Sequence, residues 1–289
     1  MIDVQRRTSP PPDRALRAPR LRLPAGAWDT HVHIFGPQSR FPLLPGRKLE
    51  VEDCTCDDLI ALHDTLGISR ALLVQSFQHG HSYEYMLHAL TREPGRFRGV
   101  AAPAGDVTDG ELDMLERAGV VGARFAYMAS PAIDARLLAR VAERGWQAHF
   151  MVEGADQIAA WSDTIRRYPN PIVLEHLGMP PAERGVESPE FRFVLDCMAS
   201  GRCWVKLSPR FSKEPVLPFA DVVPFVRAVV ERAPERLLWG TDWPHPNYFA
   251  PMPNDADLVD LLGTWIPDPA TLERVLVDNP AALFGVPAP

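Results

Sequence analysis

Eight short apolar runs alternate with helix-patterned segments along the chain, and that alternation predicts an α/β protein, a single-domain (β/α)8 TIM barrel. Two further observations favour a closed barrel over a doubly wound open sheet. The runs are continuous rather than alternating, as strands buried on both faces require, so the sheet is expected to be parallel. No Gly-x-Gly-x-x-Gly or phosphate-binding loop follows any run, which removes the usual nucleotide signals.

The first run, Trp28 to His33, is followed by a Pro-rich loop over 36–52 and a helical pattern over 57–66 that Gly67 stops. Ala71 to Ser76 is the second run. A helix over 82–92 leads to the third, Arg98 to Ala102, and Thr108-x-x-Glu111 is a capping box opening a helix that ends at Ala118. Val121 to Ala126 is the fourth. Ile133, Leu137, Leu138 and Val141 give helical spacing over 131–144, ahead of a fifth strand, Gln147 to Val152. A helix over 156–168 precedes the sixth, Pro171 to His176, and one over 189–199 precedes the seventh, Cys203 to Ser208. Asp221 to Arg232 is helical, Arg236 to Thr241 is the eighth run, and helices over 254–263 and 269–278 follow.

Of 289 residues 46% are hydrophobic, ample for a buried core. A net charge of -7 argues against a nucleic-acid or anionic-membrane surface, which needs a basic footprint. No apolar run approaches the roughly 18 residues of a membrane span. Residues 1–24, rich in Arg and Pro, contain no apolar segment of signal-peptide length and are expected to form a flexible tail ahead of a barrel over 25–289. Cys54, Cys56, Cys197 and Cys203 form neither a CxxC pair nor a secreted disulfide framework, so reduced thiols and a cytoplasmic location are expected.

Barrel active sites sit at the carboxyl ends of the strands. The polar residues ending the runs are His31 and His33, Ser76, Arg124, His176, Arg210 and Asp242. Residues two apart in an extended strand share a face, so His31 and His33 converge. Three imidazoles and a carboxylate at one mouth suit a metal with an open position, or a water activated by the carboxylate with donors at a carbonyl. Guanidinium forks pair with carboxylates, so Arg124 and Arg210 point to a small acidic ligand. His79 and Asn247 are further candidates for the mouth, whereas His63, His88 and His149 read as helix or strand residues without a role.

Trp28 to Pro37, Val74-Gln75 with His79-Gly80, Gly122 to Phe125, Glu175-His176-Leu177-Gly178 and Trp239 to Asn247 resemble the amidohydrolase superfamily. Within it they resemble the branch of the 2-pyrone-4,6-dicarboxylate lactonases, over nearly everything after residue 25. The resemblance implies a lactone hydrolase of aromatic or sugar-acid catabolism. Asp242 would be the general base, His31, His33 and His176 would hold and polarise the carbonyl, and Arg124 and Arg210 would orient the acid. It implies no required cofactor, because the resembled lactonases work without a metal. A binuclear site would need a Lys or Glu after strand four and a His after strand five. The chain has Arg124-Phe125-Ala126 and Met151-Val152-Glu153 there. A single zinc on His31, His33, His176 and Asp242 is the alternative.

The chain departs from the branch at the carboxylate grips. Ser130 stands where the resembled enzymes have a second arginine, Leu49 and Met151 where they have tyrosines, and Met179 where they have another arginine. A second carboxylate would be poorly compensated. The expected substrate is therefore a lactone with one acidic group and a less polar remainder. The rival readings are a metal-dependent decarboxylase, a sugar-acid lactonase and a non-catalytic ligand-binding barrel; the oligomeric state stays open.

Overall fold

The computed structural model describes residues 7–285. Its centre is a sheet of eight strands: β1 (Trp28–Val32), β2 (Arg70–Val74), β3 (Phe97–Ala101), β4 (Val120–Ala126), β5 (Gln147–Met151), β6 (Ile172–Leu174), β7 (Cys203–Leu207) and β8 (Leu237–Trp239). Each pairs in parallel with the next in chain order. Helices α1 (Cys56–Leu66), α2 (Glu84–Arg92), α3 (Asp109–Ala118), α4 (Ala135–Glu143), α5 (Gly154–Arg167), α6 (Pro189–Ala199), α7 (Val223–Arg232) and α8 (Asp255–Trp265) follow the strands in turn. The result is a nearly closed (β/α)8 barrel. No helix among the described residues is long and apolar enough to cross a membrane.

Side chains close the barrel where β1 meets β8. Thr30 Oγ1 donates to Trp239 O at 2.9 Å. The buried Asp29 carboxylate accepts from Thr241 N at 3.1 Å, Thr241 Oγ1 at 2.6 Å and His31 N at 3.1 Å. His63 of α1 adds a contact, its Nε2 lying 3.4 Å from Asp29 Oδ2. Beyond the strands, Asp242 N donates to His31 O at 2.9 Å and His33 N to Trp243 O at 2.8 Å. The approach is close enough that a Cβ on Gly240 would stand 2.6 Å from His31 N, so glycine is the residue that fits.

Inside the barrel Leu72, Val74, Val100, Val173 and Leu238 pack with Trp28, Trp204 and Phe284, while a larger apolar layer lies between strands and helices. The Thr108–Glu111 capping box forms, and a second one at Thr55–Asp58 opens α1. Some boundaries differ from the sequence pattern. Helix α4 starts at Ala135 rather than 131, because the Asp134 carboxylate caps Arg136 N and Leu137 N. Strand β6 stops at Leu174, because His176, Leu177 and Met179 take left-handed φ values of 52°, 56° and 44°. After Asp268 the chain forms α9 (Pro269–Glu273), a π turn over Arg274–Asp278 and α10 (Asn279–Phe284), the last unanticipated.

The segment expected as a flexible tail is tied down from residue 7 on; residues 1–6 of it lie outside the described residues. Arg7–Thr8 pair in parallel with Leu49–Glu50. Arg14 meets Glu52 at 2.5 Å, Arg17 meets Asp257 at 2.6 Å and Arg20 meets Asp260 at 2.8 Å. Its arginines find carboxylates on the barrel surface, contacts that composition alone does not reveal.

Asp29→Ala removes the common acceptor of three donors at the seam. It is expected to lower unfolding stability by about 3 kcal/mol in urea titrations; a loss below about 1 kcal/mol would mean that the seam does not depend on it.

Candidate active site

The carboxyl ends of the strands bring His31, His33, His176 and Asp242 together. His31 and His33 at the end of β1 share a face, their rings 5.0 Å apart and nearly perpendicular. His176, after β6, stands 4.6 Å from the His31 ring. Asp242, after β8, places Oδ1 3.6 Å from His31 Nε2 and 3.5 Å from His33 Nε2. All four are buried. Left-handed backbone aims two of them, His176 and Asp242, the latter with φ 69°. Such residues cost of order 1–3 kcal/mol each and persist where the surroundings hold them.

Hydrogen bonds fix where protons sit. His33 Nδ1 lies 2.7 Å from Val74 O, which only accepts, so Nδ1 carries a proton and Nε2 is the atom facing Asp242. His31 Nδ1 lies 3.2 Å from Lys206 Nζ, in β7. An ammonium only donates, so the neutral His31 ring carries its proton on Nε2, which has no hydrogen-bond partner in the protein. His176 Nδ1 shares a 2.7 Å hydrogen bond with Ser208 Oγ.

Burial sets the charge states. It pushes His31 well below its ordinary value, and Lys206, His176 and His33 add to the shift. It lowers His176 to about 4, against the opposing pull of Asp242 and Glu175. Lys206 falls to about 8 by burial, with Glu175 opposing. For Asp242 burial acts upward, but Arg210, His176 and His33 together hold the carboxyl well below the usual range, so it is ionised.

A cavity of about 380 Å3 opens above the cluster, with His33, His176, Asp242, Ser76, Arg124 and Arg210 in its wall. Leu49, Met128 and Met151 give it an apolar side, and Arg7, Lys48 and Asn247 stand at its mouth. Both arginines of the wall are already engaged. Arg124 donates from Nε and Nη2 to the buried Glu175, at 3.0 and 2.8 Å to its Oε2, and from Nη1 to Gln75 O at 3.0 Å. Arg210 donates from Nη1 to Asp242 Oδ2 at 2.6 Å and from Nη2 to Pro246 O at 2.7 Å. His79 does not line this cavity. It is buried between Tyr85 and Phe35, ring centroids 3.6 and 5.5 Å away, and its Nε2 lies 3.0 Å from Ile34 O. Ser130 lines a neighbouring cavity instead.

Lys206 is not singled out in the sequence, and Glu175 enters there only within the Glu175–Gly178 motif, without a role of its own. Their signal was a charged side chain within or immediately after an apolar run, which globular cores tolerate only when paired.

His31, His176 and Asp242 each offer an atom within 4.8 Å of the others, and would be the residues to hold a metal. The surroundings fit a dication poorly. The Lys206 ammonium leaves a proton on the nitrogen of His31 that would have to ligate, and Arg210 occupies the other Asp242 oxygen.

In the unfolded chain these histidines titrate at ordinary values, while His176 in the fold waits until about 4. The unfolded state therefore binds more protons in that window, and stability is expected to fall as pH drops from about 6.5 towards 4. His245 is raised by Asp255 despite burial and works in the opposite sense. Urea midpoints at pH 7 and 4.5 check the sum, and equal midpoints would contradict it.

The amidohydrolase family profile matches residues 28–286. The chain is 38% identical to a 4-sulfomuconolactone hydrolase of Rhizobium radiobacter, covering 94% of this chain and 95% of that one. It is also 38% identical to a 2-pyrone-4,6-dicarboxylate hydrolase of Comamonas testosteroni, covering 92% of each. The crystal structure of an Agrobacterium tumefaciens protein superposes with a TM-score of 0.82 at 28% identity, over 94% of this chain and 98% of that one. By profile, identity and coverage, this chain belongs to the amidohydrolase family.

Proposed function

We propose that the protein is a hydrolase that opens a lactone carrying one acidic group, with no metal required. One observation carries the reading: an ionised Asp242 Oδ1 stands 3.5–3.6 Å from two imidazole nitrogens, one of them a protonated Nε2 without a partner. That is a base beside a donor. The two relatives at 38% identity are named for the hydrolysis of lactones with anionic substituents, which supports the same class here.

In this reaction a water beside Asp242 gives its proton to Oδ1 while its oxygen bonds to the lactone carbonyl carbon. The carbonyl oxygen, now an oxyanion, accepts a hydrogen bond from His31 Nε2–H, which keeps its proton throughout. The ring C–O bond then breaks, and the leaving oxygen takes a proton back from Asp242, with His33 Nε2 beside it to share the transfer. Lactone and water become the open hydroxy acid, or its keto form where the leaving oxygen is an enol. Arg210 keeps the base ionised, and Lys206 keeps His31 in the donating tautomer.

The apolar side of the cavity, Leu49, Met128 and Met151, supports a substrate with a less polar remainder. Pyrone dicarboxylate is then a poorer substrate than a monoacid, and comparable turnover of the two would overturn the preference. Four buried free thiols accord with a reducing cytoplasm.

Asp242→Asn is expected to lower kcat by about 10²–10⁴ with KM within a few-fold, read as acid release across a lactone panel. Retention of a tenth of the native kcat would sink the assignment. Turnover is expected to survive exhaustive chelation, and its loss together with stoichiometric zinc would reverse the metal-free reading. The pH profile of kcat/KM should fall on the acid side near the His176 value of about 4 and on the basic side near the Lys206 value of about 8. Lys206→Met should lower the plateau and abolish the basic limb.

A further inference from the structure

The charge of both wall arginines is already compensated by carboxylates of the protein. Glu175 neutralises Arg124, and of the five N–H groups of that guanidinium, Nε and both Nη2 protons go to Glu175 and Met151 Sδ and one Nη1 proton to Gln75 O. Asp242 neutralises Arg210. Uncompensated positive charge stands instead at the mouth, on Arg7 and Lys48, which both line the cavity and are exposed. Neither has a carboxylate partner among the described residues.

The backbone holds this pair in place. Arg7 N donates to Lys48 O at 3.0 Å and Ser9 N to Glu50 O at 2.8 Å, so the segment lies as a strand on the loop after β1. From the other side Asn247 N donates to Ser9 Oγ at 3.1 Å, tying the segment to the loop after β8 that carries Asp242. The Arg7 guanidinium lies 3.7 Å from the Phe249 ring centroid, which stiffens it as a cation–π contact does. Other arginines of the segment, Arg14, Arg17 and Arg20, are spent on barrel carboxylates, whereas Arg7 is not.

We propose that Arg7 and Lys48 form the recognition pair for the acidic group of the substrate, a carboxylate or sulfonate, so that the N-terminal segment completes the substrate site. This rests on the lactone-hydrolase reading. It also orients the substrate: the anion lies at the mouth, and the lactone carbonyl reaches down to His31 and Asp242.

The test uses full-length protein and three matched pyrones: coumalate, its methyl ester and the corresponding sulfonate. Arg7→Ala and Lys48→Ala are each expected to lower the ratio of kcat/KM for coumalate over its methyl ester about tenfold, through KM, while Arg136→Ala on α4 leaves that ratio unchanged. A parallel loss on the sulfonate would extend recognition to both anions, and an unchanged sulfonate KM would confine it to carboxylates. A ratio within twofold of native, or an equal fall on ester and acid, would overturn the proposal. If the native protein opens none of the three, the lactonase reading fails, and the pair is still judged by calorimetric titration with citrate. There a tenfold weaker Kd in the double variant is expected, and an unchanged Kd would overturn the pair.

Discussion

The Asp29 carboxylate is the contact on which the rest of the site depends. It sits at the join of the first and last strands and satisfies two backbone donors and a hydroxyl there. Buried donors are expensive to leave unpaired, so this one side chain does for the seam what ladder hydrogen bonds do elsewhere in the barrel. The consequence is chemical. One donor, two residues on in sequence, is the amide of His31, and the donors across the seam belong to Thr241, the residue before Asp242. Closing the barrel and setting the Asp242 carboxylate against the imidazoles are one event.

Above that seam the site is built from compensated charges. Glu175 answers Arg124, and Asp242 answers Arg210; Lys206 leans on the lone pair of His31. Each group is buried, and burial without a partner would neutralise it. Partnership keeps the Asp242 carboxyl ionised, while burial keeps His31 and His176 neutral. An ionised carboxylate and a neutral imidazole N–H then stand within 4 Å of each other. The left-handed residues after β6 and β8 are the backbone cost of turning His176 and Asp242 inward.

Much of this was legible in the order of residues. Strand periodicity located all eight barrel strands to within a few residues, because a strand buried on both faces has to be continuously apolar. The polar residue ending each run then named the four side chains that meet at the mouth. The double imidazole needed only the two-residue repeat of an extended chain. Less legible were the charged residues inside or beside the apolar runs, Glu175 and Lys206, whose partners lie 51 and 175 positions away. His79 looked like a mouth residue because its loop follows β2, yet stacking on Tyr85 and Phe35 takes it into the core.

The sequence by itself determined the barrel, its strand ends and the four residues at its mouth, because local periodicity and strand order suffice for those. Tertiary structure decided which cations meet a carboxylate among the described residues. Arg124 and Arg210 look in the sequence like grips for an acid, and Arg7 looks like part of a loose arm. In the fold the first two meet carboxylates brought in by other strands, while the third is carried to the cavity mouth by a two-residue ladder. Whether a charge is available for a ligand depends on what stands within a few ångströms of it, and that distance is set by the closed barrel rather than by neighbours along the chain.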